Sequence, residues 1–242
     1  MLNQLNKELN KKANPEKAKI LQKFFKTGKG QYGEGDIFLG IIVPEQRKIA
    51  KQFQEIPITD LQYLLNSNIH EKRLIALLIL IEKYKKSSEK DKEIIFNFYI
   101  DNSKKINNWD LVDLSAPNIV GDFLLEKPKD ILYELAKSEN LWKKRISIVS
   151  TYQFIKNNKF QDTLQIAEIL LKDKHDLIHK AVGWMLRELG KKNQELEEFF
   201  LKKHYKQMPR TMLRYAIEKF KEDKRQDYLK GRISKKQCAT HT

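Results

Sequence analysis

Apolar residues recur at spacings of three and four along almost the whole chain, so the predicted element is the helix throughout. Helices are expected over Leu2–Lys12 and residues 15–26, followed by a glycine-rich break, GKGQYGEGD, at 28–36. Pro44 suits a first helical position and opens PEQRKIAKQF. Thr59 and Asp60 are placed to cap LQYLLNS. Further helices are expected at about 71–86, 89–101, 109–114, 117–126, 129–138 and 140–157. The pattern continues at 161–172, 176–190, 193–205, 209–221 and 222–230. The breaks are short, as between stacked helix hairpins. No period-two pattern competes, and 9 Gly and 6 Pro are too few for the turns of a β-sandwich.

The helices repeat. Arg73 opens RLIALLIL, Trp109 opens WDLVDLSA, Arg145 opens RISIVSTY and Lys180 opens KAVGWMLREL, while Arg214 lies in LRYAIEKF. The intervals are 36, 36, 35 and 34 residues, enough for two helices per unit. This predicts an all-α fold, an α-α superhelix (solenoid) of HEAT-like helix-pair repeats. One domain is expected over 1–230, with a polar, flexible C-terminal tail over 231–242. Positions 73, 109, 145, 180 and 214 should share one phase. Asp113 and Trp184 follow Trp109 and Lys180 by one turn and share their faces. A concave surface carrying cations, two indoles and a carboxylate is therefore expected. Each tryptophan taken singly would more readily be a core residue.

Charge narrows the partner. The chain carries 47 Lys and Arg against 32 Asp and Glu, a net charge of +15 at neutral pH. Residues 221–242 hold seven of those cations and three of the acids, so the body itself is basic. Such an excess points to a polyanion, with nucleic acid the leading candidate over an acidic protein or an anionic membrane. Arg73, Arg145, Lys180 and Arg214 are the expected phosphate contacts. A lone cysteine, Cys238, permits no internal disulfide. With no apolar leader at the N-terminus and no run long enough to span a bilayer, a soluble, cytoplasmic monomer is expected.

Other chemistry is weaker. GKGQYGEG follows a helix and lacks a closing GK[ST], so neither a P-loop nor a dinucleotide site is expected. It reads as a structured loop between helices. His175 and His179 have metal-binding spacing, but no HExxH motif and no third ligand accompany them. No metal and no cofactor are expected.

The stretches FLGIIVPEQRKIAKQF, NNWDLVDLSAPNIVG, LWKKRISIV and HKAVGWMLRELGKK resemble the AlkD family of DNA alkylation-repair glycosylases, over roughly residues 15–220. The resemblance implies a HEAT-like superhelix that holds double-stranded DNA containing alkylated bases in its concave face. It also implies hydrolysis of the N-glycosidic bond of N3- and N7-alkylated purines without strand cleavage. By that resemblance Trp109, Asp113 and Trp184 match the catalytic residues, and Arg145 matches the arginine that contacts DNA backbone near the lesion. The sequence departs from the family where KTGKGQYGEGD expands the segment before FLGI. Phe24, Phe25 and Tyr32 are all candidates for the aromatic beside the lesion. Two alternatives stay open: a relative that holds DNA with little or no glycosylase activity, and a HEAT-type protein scaffold.

Overall fold

The computed structural model of the protein describes residues 1–233. Among them the named elements are helical, and a single bridge between Ile37 and Ile69 is the only β pairing. Of the expected C-terminal tail, residues 234–242, including Cys238 and His241, lie outside the described residues. The chain forms two compact units, the second beginning at Ala116.

The first unit holds α1 (Leu2–Lys12), α2 (Pro15–Phe24), α3 (Val43–Gln52), α4 (Ile58–Leu65), α5 (His70–Lys86) and α6 (Glu89–Asp101). Most of α7 (Trp109–Ala116) completes it. Helix starts follow local chemistry. The Asn14 side chain accepts a hydrogen bond from the Lys17 amide with Pro15 at the first turn, and Ser88 does the same for Asp91 in α6. Thr59 and Asp60 do not cap α4. They sit inside its first turn, because Pro57, already extended, takes the cap position. In α5 every residue from Leu74 to Ile81 is buried, so this helix is the hydrophobic axis of the unit, with α3, α4 and α6 against it.

The second unit starts with a π-helical turn at Pro117–Gly121 where a longer helix was expected. Gly121 lies so close to α9 that an added Cβ would stand 2.3 Å from the Ser150 carbonyl oxygen. Then come α8 (Asp130–Ala136), α9 (Leu141–Ser150), α10 (Tyr152–Lys156) and α11 (Gln161–Leu170). They are followed by α12 (Asp176–Gly190), α13 (Gln194–His204), α14 (Arg210–Ala216) and α15 (Glu222–Leu229). The single helix expected over 140–157 is two helices meeting at Thr151. There Ser150 Oγ and Thr151 Oγ1 bond back to the carbonyls of Ile146 and Ile148, each at 2.7 Å. Helix α12 is the centre of this unit, packed against α9, α11, α13 and α14.

The five repeat markers fall on α5, α7, α9, α12 and α14, with α6, α8, α11 and α13 between them in the chain. This alternation is that of an α-α solenoid.

Candidate functional site

Helix α7 carries two of the expected site residues, and its start is tightly fixed. The Trp109 amide donates to Asn108 Oδ1 at 2.8 Å, and the Leu111 amide donates to Asp110 Oδ1 at 2.9 Å. The acid at position 110 also suits the positive end of the helix dipole. Trp109 and Asp113 lie one turn apart on one face, and both are half-buried. Asp113 lies close enough to Tyr99 for its charge to matter. Burial first, and the Asp113 charge second, push the Tyr99 hydroxyl well above its ordinary pKa, against the Ser115 hydrogen bond at 2.8 Å.

The Trp109 indole rests on an aromatic pile. It stacks on Phe25 with ring centroids 5.2 Å apart, Phe25 stacks on Phe38 at 5.0 Å, and Phe38 stacks on the His70 imidazole at 4.5 Å. Phe24 meets Trp109 edge-on at 6.1 Å and is 61% exposed. The three aromatic candidates thus separate. Phe25 is core, Tyr32 is a half-buried loop residue, and Phe24 presents an open ring beside the indole.

Beneath the pile lies a buried polar cluster that sequence reasoning missed. His70 Nε2 meets Asp110 Oδ2 at 2.8 Å, and its Nδ1 meets Asp36 Oδ2 at 3.3 Å. The same Asp36 oxygen forms an ion pair with Arg73 at 2.7 Å and accepts from Asn108 Nδ2 at 3.3 Å. Burial alone would raise the Asp36 carboxyl. The His70 hydrogen bond and the Arg73 charge outweigh it and hold the group below the usual carboxylate range. Burial alone would likewise lower the His70 pKa, but the Asp110 charge and the bonds to both carboxylates raise it. Residues 34 and 40 positions from His70 supply these partners, so no local motif announced them.

The glycine-rich segment is a structured loop that ends in this cluster at Asp36. Just beyond it the amides of Leu39, Gly40 and Ile41 converge as an anion nest would. Their anion is internal, because the buried Glu71 carboxylate accepts from all three at 2.9–3.3 Å. Gly40 has φ +83°, and an added Cβ would stand 2.1 Å from the Asn14 carbonyl oxygen, so no other residue fits.

The second unit carries the remaining expected residues. Trp184 is half-buried on α12, its ring 6.1 Å from that of Tyr152 and its Nε1 donating to Glu188 at 3.2 Å. Gly183 lets α14 come close, since a Cβ there would be 2.5 Å from the Met212 carbonyl oxygen. Lys180 is partly exposed and pairs with Asp176 at 2.7 Å, while Arg214 on α14 is exposed. His175 caps α12 through Nδ1, which accepts from Leu177, and His179 Nε2 donates to the Asp173 carbonyl. One ring nitrogen of each is thus employed in building the turn. Among the described residues no group of three or more His, Cys, Asp or Glu side chains is arranged to hold a metal ion.

Two expectations need correction. Arg73 does not present itself to a phosphate: it is 3% exposed, ion-paired with Asp36 and bonded to the Ser67 carbonyl at 2.8 Å. Arg145 is 4% exposed and donates to the Leu177 carbonyl at the start of α12. Both markers point inward instead. A guanidinium with internal acceptors is stable in the interior, and composition alone does not reveal those acceptors. Among the described residues, no helix is long and apolar enough to cross a membrane.

The sequence matches a family model described as DNA alkylation repair enzyme over residues 5–220. No curated protein sequence matches it. Among solved structures, a predicted DNA alkylation repair enzyme from Enterococcus faecalis superposes with a TM-score of 0.68. The two chains are 18% identical, and the match covers 87% of this chain and 98% of the other, a likeness of fold.

Proposed function

Because this chain belongs to the DNA alkylation repair enzyme family, we propose that it is a monofunctional DNA glycosylase. Its substrates are cationic N3- and N7-alkylated purines in duplex DNA. The observation that carries this reading is the pairing on α7 of a half-buried carboxylate, Asp113, with a half-buried indole, Trp109, that is backed by an aromatic pile.

The chemistry follows from the substrate. Alkylation places a positive charge on the purine and makes it a good leaving group. As the C1′–N bond stretches, the base takes the bonding electron pair and becomes neutral, and positive charge develops on the deoxyribose. A carboxylate already fixed in place stabilises that charge most when it is fully formed. Asp113 has this role. Water adds its oxygen to C1′, and Asp113 orients that water and accepts its proton on the way to solvent. One preorganised interaction of this kind is worth about 2.7–4 kcal/mol, enough for an activated base and too little for an ordinary one. Lesion selectivity arises from that gap.

Trp109 and Trp184 are the indoles of the mechanism, offering electron-rich faces to a cationic sugar or base, worth about 0.5–2 kcal/mol each. Phe24 is the aromatic next to Trp109. Lys180 and Arg214 contact phosphate and give salt-dependent, sequence-tolerant binding. Arg145, held at the start of α12, supports the position of that helix and of Trp184.

The test is incubation of a 7-methylguanine duplex with wild type and with Asp113→Asn, with free base measured by chromatography. Release by wild type and a loss of about 10²–10³-fold in the variant is the expected result. Duplex binding without release by either protein would make the chain a DNA-holding relative instead.

A further inference from the structure

The cluster of Asp36, His70, Arg73 and Asp110 has no part in the chemistry above, yet it joins the glycine-rich loop, α5 and the first turn of α7. We propose that His70 is a positioning residue which, as an imidazolium bridging Asp36 and Asp110, fixes the start of α7 and thereby Trp109. Base release then depends on that bridge and falls when His70 loses a proton.

Geometry carries the argument. A neutral imidazole has one N–H, so one of its nitrogens would turn a lone pair toward a carboxylate. Here Nε2 faces Asp110 Oδ2 at 2.8 Å and Nδ1 faces Asp36 Oδ2 at 3.3 Å, and only the doubly protonated ring satisfies both. The charged groups around it are the two carboxylates and Arg73, so an imidazolium makes the buried set neutral. The neighbouring Glu71 is engaged by the amides of Leu39, Gly40 and Ile41. Phe38, stacked 4.5 Å from the imidazole, offers its ring face to the cation. The raised His70 pKa agrees with this arrangement.

The link to the site is short. Asp110 uses Oδ2 for His70 and Oδ1 for the Leu111 amide, which locks the residue between Trp109 and Leu111. Asn108 connects Asp36 to the Trp109 amide, donating to the first and accepting from the second. The rings that support the indole from behind, Phe25 and Phe38, rest on His70 itself. A small cavity of about 160 Å³, lined in part by Asp36 and Arg73, adjoins the cluster.

The inference on activity rests on the glycosylase reading, so the experiment has one arm that does not. The full chain is labelled with ¹⁵N-histidine and 5-fluorotryptophan, and His70→Gln and Trp109→Phe assign the two resonances. At pH 7.5 both His70 nitrogens are expected to be protonated, and the Trp109 fluorine signal is expected to move with the His70 titration. Asp110→Asn, with its helix content checked by circular dichroism, is expected to lower the His70 midpoint and shift the Trp109 signal. Single-turnover base release, corrected for enzyme-free loss, is expected to fall about 10- to 100-fold in that variant, the size of one charge-assisted hydrogen bond. Duplex affinity is expected to be unchanged, and the wild-type rate to fall above the His70 midpoint. A singly protonated His70 at pH 7.5, or a Trp109 signal unmoved in folded Asp110→Asn, overturns the proposal. Absence of base release by wild type removes the glycosylase reading and leaves the resonances to decide the bridge.

Discussion

Phe25 lies nearly parallel beneath Trp109, with 15° between the ring planes and 5.2 Å between centroids. The indole that the proposed chemistry uses is thus held in place by a core residue of α2's C-terminal end, which is 7% exposed. Offset stacking of this kind is worth about 0.5–1.5 kcal/mol beyond the area buried.

Phe25→Ala should therefore cost both stability and position. Truncating a buried phenylalanine costs about 3–5 kcal/mol, readable as a lower urea midpoint at unchanged slope. Phe25→Leu keeps most of the volume and loses the ring, so its smaller stability loss should come with a clear change in Trp109 emission. Native-like emission in folded Phe25→Leu would refute the supporting role.

Gly183 stands beside Trp184, and an added Cβ would meet the Met212 carbonyl oxygen and Tyr215 Cβ, each at 2.5 Å. Neither the backbone nor the root of a side chain yields easily. Gly183→Ala is expected to push α12 and α14 apart and cost about 1–3 kcal/mol, although alanine is the better helix former. Thermal unfolding measures it; an unchanged or raised Tm would mean that the two helices separate freely.

Glu197 is 2% exposed, and burial, with the charge of Glu198 adding to it, pushes its carboxyl up to about 8. The folded state binds this proton more tightly than the unfolded chain, whose carboxyl titrates near 4.5. The contribution is fully present below about pH 4.5 and is lost as the pH rises toward about 8. Glu197→Gln, which needs no proton, should flatten the stability profile across that window and be the more stable protein at its alkaline end. Denaturant titrations at several pH values test this, and a parallel profile in the variant would contradict it.

Arg214 is exposed on α14. As a phosphate contact, its replacement by alanine should weaken duplex binding uniformly across sequences and reduce the salt slope of log K by about 1. Lys180→Ala should act similarly, since its surface pair with Asp176 contributes little by itself. Arg73→Ala should behave otherwise, as a folding defect, because it strips Asp36 of a buried partner. A native salt slope in Arg214→Ala would remove that residue from the interface.

Periodicity alone specified the fold class, because a helix exposes its burial pattern within a few residues of itself. The even spacing of Arg73, Trp109, Arg145, Lys180 and Arg214 marked alternate helices correctly for the same reason. Which way those side chains point was decided by the tertiary structure. Arg73 and Arg145 turned inward because acceptors distant in sequence, Asp36 and the Leu177 carbonyl, wait for them there. The His70 cluster and the pile under Trp109 were hidden likewise, since Asp36, His70 and Asp110 become neighbours only through folding. Local pattern marks most of the helices; the electrostatic partner of a buried charge is a property of the assembled fold.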